Sequence, residues 1–108
     1  DGAIQIAGQV AMDEASEIVG EGDLPAQVGQ IYRNVAGVLE KVGAGVGDLT
    51  SETWYVVDMA DFMRCGRAID ALRREAYDGD PPVAQTVVEV KALYRPEVLV
   101  EIQFCAQV

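Results

Sequence analysis

Two stretches decide the fold of this chain: Gln85-Thr86-Val87-Val88-Glu89-Val90-Lys91-Ala92 and Val98-Leu99-Val100-Glu101-Ile102-Gln103-Phe104-Cys105-Ala106-Gln107. In the first, Thr86, Val88, Val90 and Ala92 alternate with Gln85, Val87, Glu89 and Lys91; in the second, Val98, Val100, Ile102 and Phe104 alternate with Leu99, Glu101, Gln103 and Cys105. A period of two sends the two sets to opposite faces of a sheet. Each run therefore offers a dry face for helices and a mixed face that suits a subunit interface or a ligand cleft. On this reading Gln85, Val87, Gln103 and Cys105 all lie on faces turned away from the helices. The turn Leu93-Tyr94-Arg95-Pro96 separates the two runs.

Working back from these runs, Asp78-Gly79-Asp80-Pro81-Pro82 is a loop. A helix running to about Tyr77 precedes it, capped by Asp58 or Asp61, with Phe62, Cys65, Ile69 and Leu72 as its apolar stripe; Gly66 weakens it locally. Thr50–Asp58, with Trp54, Tyr55, Val56 and Val57 at its centre, is a strand. An earlier helix starts at Asp23 with Pro25 in its first turn. Its stripe is Val28, Ile31, Val35, Val38, Leu39 and Val42, and Gly43 and Gly45 end it. Ala3–Gly8 is a short strand, and the acidic segment Met12–Gly22 is a loop with a short strand near Ile18-Val19. The order strand, helix, strand, helix, strand, strand predicts one α+β domain over residues 1–108, a mixed sheet with two helices packed on one face.

Composition narrows the function. The chain has 108 residues, 18 acidic and 8 basic side chains and a net charge of −10. Nucleic-acid binding draws on lysine and arginine, so this balance argues against it. No apolar run approaches the length of a membrane span. Two cysteines, Cys65 and Cys105, read as reduced, buried thiols of a cytoplasmic protein. The absence of histidine removes Ser-His and Cys-His dyads and histidine-ligated zinc. Asp58, Asp61, Asp78 and Asp80 are read as caps and turn residues rather than a cation site, and neither metal nor cofactor is expected. Gly43–Gly47 lacks phosphate-loop spacing. Trp54-Tyr55 is sheet packing rather than a stacking platform.

The segments that carry the organisation also resemble the RidA/YjgF family, whose reactive-intermediate deaminases hydrolyse enamines and imines. Pro81-Pro82-Val83-Ala84-Gln85-Thr86-Val87-Val88-Glu89-Val90 and Val100-Glu101-Ile102-Gln103-Phe104-Cys105-Ala106 are similar to its C-terminal signature. Ile6-Ala7-Gly8-Gln9-Val10 resembles its early strand motif. Gln27, Asn34 and Val38-Leu39 stand in familiar places, and Val56-Val57-Asp58-Met59-Ala60-Asp61-Phe62 resembles its strand-to-helix junction. The resemblance implies a chorismate-mutase-like (YjgF-like) fold assembled as a homotrimer, with small-metabolite pockets between subunits. It also implies an N-terminal strand that this sequence lacks.

Catalytic members hold the substrate carboxylate with an arginine and place water with a glutamate. The resemblance puts Gln85 at the arginine position and Gln103 at the glutamate position. Ala7 replaces a hydroxyl residue, and Gly66 falls where an asparagine is common. An amide cannot match a carboxylate's charge, and it is no useful base. The implied ligand-binding set is Ala7, Gly8, Gly66, Gln85, Val87, Gln103 and Cys105, with standard imine deamination lost or altered. Two alternatives stand: an active hydrolase that uses another arginine, Arg67 or Arg95, or a non-catalytic regulatory module.

Overall fold

The structure, a computed structural model, describes residues 2–108. Four strands form one mixed sheet: β1 (Ala3–Gln9), β2 (Leu49–Val56), β3 (Ala84–Glu89) and β4 (Val100–Gln107), in the order β1-β4-β2-β3. β4 is antiparallel to both β1 and β2, whereas β3 runs parallel to β2. A parallel pair needs a crossover. Here helices α2 (Met59–Arg64) and α3 (Gly66–Tyr77) supply it. Helix α1 (Leu24–Lys41) joins β1 to β2 through the 3-10 turn Val46–Asp48.

Local chemistry sets the helix ends. Asp23 accepts a hydrogen bond from the Ala26 amide at 3.1 Å, and Pro25 sits in the first turn, as the sequence predicts. At the other end Gly43 takes a φ of 75°, and the Ala44 amide returns to the Leu39 carbonyl at 2.9 Å. Only a residue without Cβ enters that left-handed turn freely. The stripe buries Val28, Ile31, Val35 and Leu39. Val42 departs from the expectation: it is the cap residue, 58% exposed, because the helical rotation ends before it.

The second expected helix is two. Asp58 caps α2 by accepting from the Asp61 amide at 3.1 Å, and the chain leaves helical geometry at Cys65, immediately before Gly66. The break lets Phe62 stack edge-on against Trp54, with ring centres 5.8 Å apart, while Ile69 enters the core from α3. The remaining stripe residues, Phe62, Cys65 and Leu72, pack against that core half-buried.

The core lies between the sheet and the helices. Val100, Ile102, Phe104 and Ala106 of β4 interleave there with Leu49, Trp54 and Val56 of β2 and with the α1 stripe. Each buried valine-to-phenylalanine side chain contributes on the order of 1.5–3 kcal/mol. Buried Gln27 ties the loops to this frame. Its amide donates to the carbonyls of Glu97 at 2.8 Å and Gly20 at 3.2 Å, and its carbonyl accepts the Leu99 amide at 2.9 Å. Asn34 likewise donates to the carbonyls of Met12 (2.9 Å) and Val10 (3.3 Å), holding the segment after β1 against α1.

A candidate ligand site divided between two faces of the sheet

Strand register gives each candidate residue its face, because paired residues in a sheet share one. One row across the helix face runs Ile6, Phe104, Glu52, Gln85, and the next runs Gln9, Ile102, Trp54, Val87. Rows on the open face run Gln5, Cys105, Ser51, Ala84, then Gln103, Thr53, Thr86, then Glu101, Tyr55, Val88. Gln103 and Cys105 therefore lie on the open face, as the alternation predicts. Gln85 and Val87 do not: they share the helix face with Glu52 and Trp54, and Val87 packs against the core. The phase of β3 follows from its parallel register on β2, which the crossover sets and the period of two cannot.

Ala7 and Gly8 stand together opposite the single residue Gln103, because the β1–β4 register shifts between Ile6 and Gln9. This is a bulge, which bends the strand and re-aims its side chains. The Glu101 side chain lies over Gly8. A Cβ there would come 2.1 Å from Oε2 of Glu101, so the Glu101 side chain occupies the space that a larger residue would fill. Ala7, Gly8, Gln103 and Cys105 thus form one group around β1 and β4. Gln85 and Val87 lie on the opposite face of the far edge strand, with β2 between them and β4. Gly66 opens α3, exposed, with open space where its Cβ would be.

The arginines proposed as substitutes are exposed. Arg95 pairs with Glu97 at 3.0 Å, and Arg67 lies on the outside of α3. Cys65 and Cys105 are free thiols and half-buried rather than buried. Partial burial, reinforced by the Asp61 carboxylate 3.8 Å away, pushes the Cys65 thiol up, away from a reactive thiolate. Among the described residues no helix is long and apolar enough to cross a membrane, and no group of three potential metal ligands converges.

Sequence reasoning missed Glu52, 1% exposed beneath the sheet. Its Oε1 accepts from Trp54 Nε1 at 2.8 Å and Arg73 Nη2 at 3.0 Å; its Oε2 accepts from Tyr32 Oη at 2.7 Å and from Tyr77 Oη. Arg73 Nε also donates to Tyr32 Oη at 3.1 Å. Burial, with the Glu52 charge added, pushes both tyrosine hydroxyls far above their ordinary range, so they stay protonated donors. Burial opposes the charge on Arg73, but Glu52 outweighs it and the guanidinium stays ionised. Both Glu52 oxygens and both tyrosine hydroxyls are thus held by partners within the network. A sequence signal existed: Glu52 is in phase with inward-facing Trp54 and Val56.

Beside the bulge, a groove of about 910 Å³ runs between β1 and α1, lined by Gly8, Arg33, Gly37, Lys41, Tyr94 and Glu101 among others. Its bottom is partly apolar, and both signs of charge face it.

Comparison with known proteins agrees with this architecture. The family model described as endoribonuclease L-PSP matches residues 1–108. A RutC family protein of Synechocystis is 34% identical over 107 residues, covering 98% of this chain and 78% of that protein. Another, from Pyrococcus abyssi, is 33% identical over 104 residues, covering 95% and 76%. Among solved structures, YyfB from Yersinia pestis, a Rid-family protein of unknown function, superposes with a TM-score of 0.88 at 37% identity, covering 98% of this chain and 78% of that one. The YjgF gene product of E. coli gives a TM-score of 0.81 at 30% identity, covering 98% and 80%. The fold likeness and the family match over residues 1–108 agree, and this chain belongs to the Rid/YjgF family.

Proposed function

We propose that this chain is a Rid-family protein that binds a small metabolite in a cleft between subunits of a homotrimer, with standard imine deamination lost or altered. The reading is carried by the pair of neutral amides, Gln85 and Gln103, which the resemblance puts at the positions where catalytic relatives hold an arginine and a glutamate. An arginine fork pairs with a carboxylate in fixed geometry and full charge; a glutamine offers one or two neutral hydrogen bonds. A glutamine also cannot take the proton from an attacking water.

The division of the candidate set supports the intersubunit placement. Gln85 lies on the helix face of β3, Gln103 on the open face of β4, and β2 separates the strands. A small ligand that touches both amides therefore needs them from two chains. The open face carries Ser51, Thr53, Tyr55, Val88, Gln103 and Cys105, with Glu101 as the one charged group in its rows, so a second copy would cover a mostly uncharged surface.

A coupled assay that generates 2-aminoacrylate tests the chemistry. Wild type is expected to leave its hydrolysis near the uncatalysed rate, and Gln85→Arg with Gln103→Glu to raise it. Robust turnover by the wild type overturns the loss. Light scattering at micromolar concentration tests the assembly, where a monomer mass would remove the cleft.

A further inference from the structure

The helix face of the sheet carries polar groups at its β3 edge that the buried Glu52 network leaves unused. Glu52 and Gln85 are partners in the parallel β2–β3 register and share this face, one strand spacing of about 4.8 Å apart. Glu52 is buried and Gln85 exposed, because β3 ends the described sheet. That edge is the one opposite β1, with β4 and β2 between.

Arg73 reaches the same place from α3. Its Nη2 donates to Glu52 Oε1 at 3.0 Å and its Nε to Tyr32 Oη at 3.1 Å, while Nη1 has no partner among the described residues. No buried side-chain nitrogen or oxygen among those residues lacks a partner, and the Arg73 side chain is 12% exposed, so Nη1 meets solvent. The Gln85 amide is likewise uncommitted among the described residues. Tyr77 Oη donates to Glu52 Oε2 and keeps a lone pair to accept.

The charges here cancel. The Arg73–Glu52 pair is 12% and 0% exposed, so water and salt screen it little. A carboxylate brought to Nη1 meets Glu52 behind the guanidinium, and that repulsion offsets most of the attraction. An uncharged carbonyl avoids the repulsion, sheds water more cheaply and still gains a charge-assisted hydrogen bond. The net charge of −10 disfavours an anion at long range as well.

We propose that Glu52 sets the ligand class of the Gln85 subsite: by neutralising Arg73 it makes the subsite select an uncharged amide and reject a carboxylate. The ligand carbonyl accepts from Arg73 Nη1, and its two N–H groups donate to Gln85 Oε1 and Tyr77 Oη. This subsite rests on the proposed cleft only for the place of Gln85 in it, since Glu52, Arg73, Tyr77 and Gln85 all come from one chain.

Nitrogen-15 NMR titration of the full chain with isobutyramide and isobutyrate, which differ in charge and hardly in shape, tests it. Isobutyramide is expected to shift the Gln85 side-chain amide and Arg73 Nε resonances. It should bind about tenfold more tightly than isobutyrate, the size of one hydrogen bond to a charged group. Gln85→Ala, exposed at the sheet edge and outside the core, should remove the preference. Glu52→Gln uncovers the Arg73 charge and should invert it, making isobutyrate the tighter probe; a merely structural role would weaken both probes together. If Glu52→Gln does not fold, the wild-type preference and its loss in Gln85→Ala decide. Equal affinity in the wild type, tighter binding of isobutyrate, absence of binding, shifts confined to the open face, a preference unchanged in Gln85→Ala, or a folded Glu52→Gln that still prefers the amide overturns the assignment. Light scattering on the same sample separates the subsite from the assembly. A monomer that prefers the amide removes the intersubunit cleft and keeps the subsite, whereas a trimer that prefers isobutyrate does the reverse.

Discussion

β4 and β3 present the same alternating signal in the sequence and occupy opposite situations in the fold. β4 has neighbours on both sides, and its inward residues Val100, Ile102, Phe104 and Ala106 are essentially inaccessible. β3 has β2 on one side only, and apart from half-buried Val87 its residues are exposed. Alternation reports that a strand has two faces. It is silent on how many neighbours the strand has and on which of two mixed faces turns inward. In β4 one set is wholly apolar, so burial chooses the phase. In β3 each set mixes valine with polar residues, so the phase is set by register on β2.

Five substitutions break or sharpen this contrast, in falling order of effect. Phe104→Ala, at the centre of β4 and edge-on to Tyr32 at 5.9 Å, should cost about 3–5 kcal/mol, read as a lowered midpoint in urea unfolding. Glu52→Gln, in the β2 row between Phe104 and Gln85, should cost about 3 kcal/mol, because it leaves Arg73 beneath the sheet without its counter-charge. A matching loss in Arg73→Met, with no further loss in the double variant, would identify the pair as the unit in a double-mutant cycle. Val87→Ala on the helix face of β3 should cost about 1 kcal/mol, because the side chain is only partly buried. Thr86→Ala, on the open face of the same strand, should stay within about 0.5 kcal/mol in thermal unfolding of the chain. A larger loss at Thr86 than at Val87 would reverse the phase assigned to β3.

The N-terminal half was more legible than the C-terminal half. Asp23, Pro25 and Gly43 mark helix ends through local backbone chemistry, and each acts where the sequence places it. The α2–α3 break was not legible, since a single stripe runs through Phe62, Cys65, Ile69 and Leu72 and only the mild signal of Gly66 interrupts it. The candidate site was legible in part. The residues of β1 and β4 assemble around a bulge as alternation suggests, but Gln85 and Val87 fall on the other face. Glu52 went unread because a lone carboxylate gains meaning only once Tyr32, Arg73 and Tyr77 come from two helices to meet it.

By itself the sequence determined the strands and the main helices, the caps, the α+β class and the family, because these depend on local periodicity and on residue types in order. Only the tertiary structure decided the strand order β1-β4-β2-β3, the phase of β3, the bulge that lays Glu101 on Gly8, and the meeting of charges across the α1 groove. Those features join residues far apart in the chain, and pairing register and crossover geometry, which no local pattern encodes, bring them together.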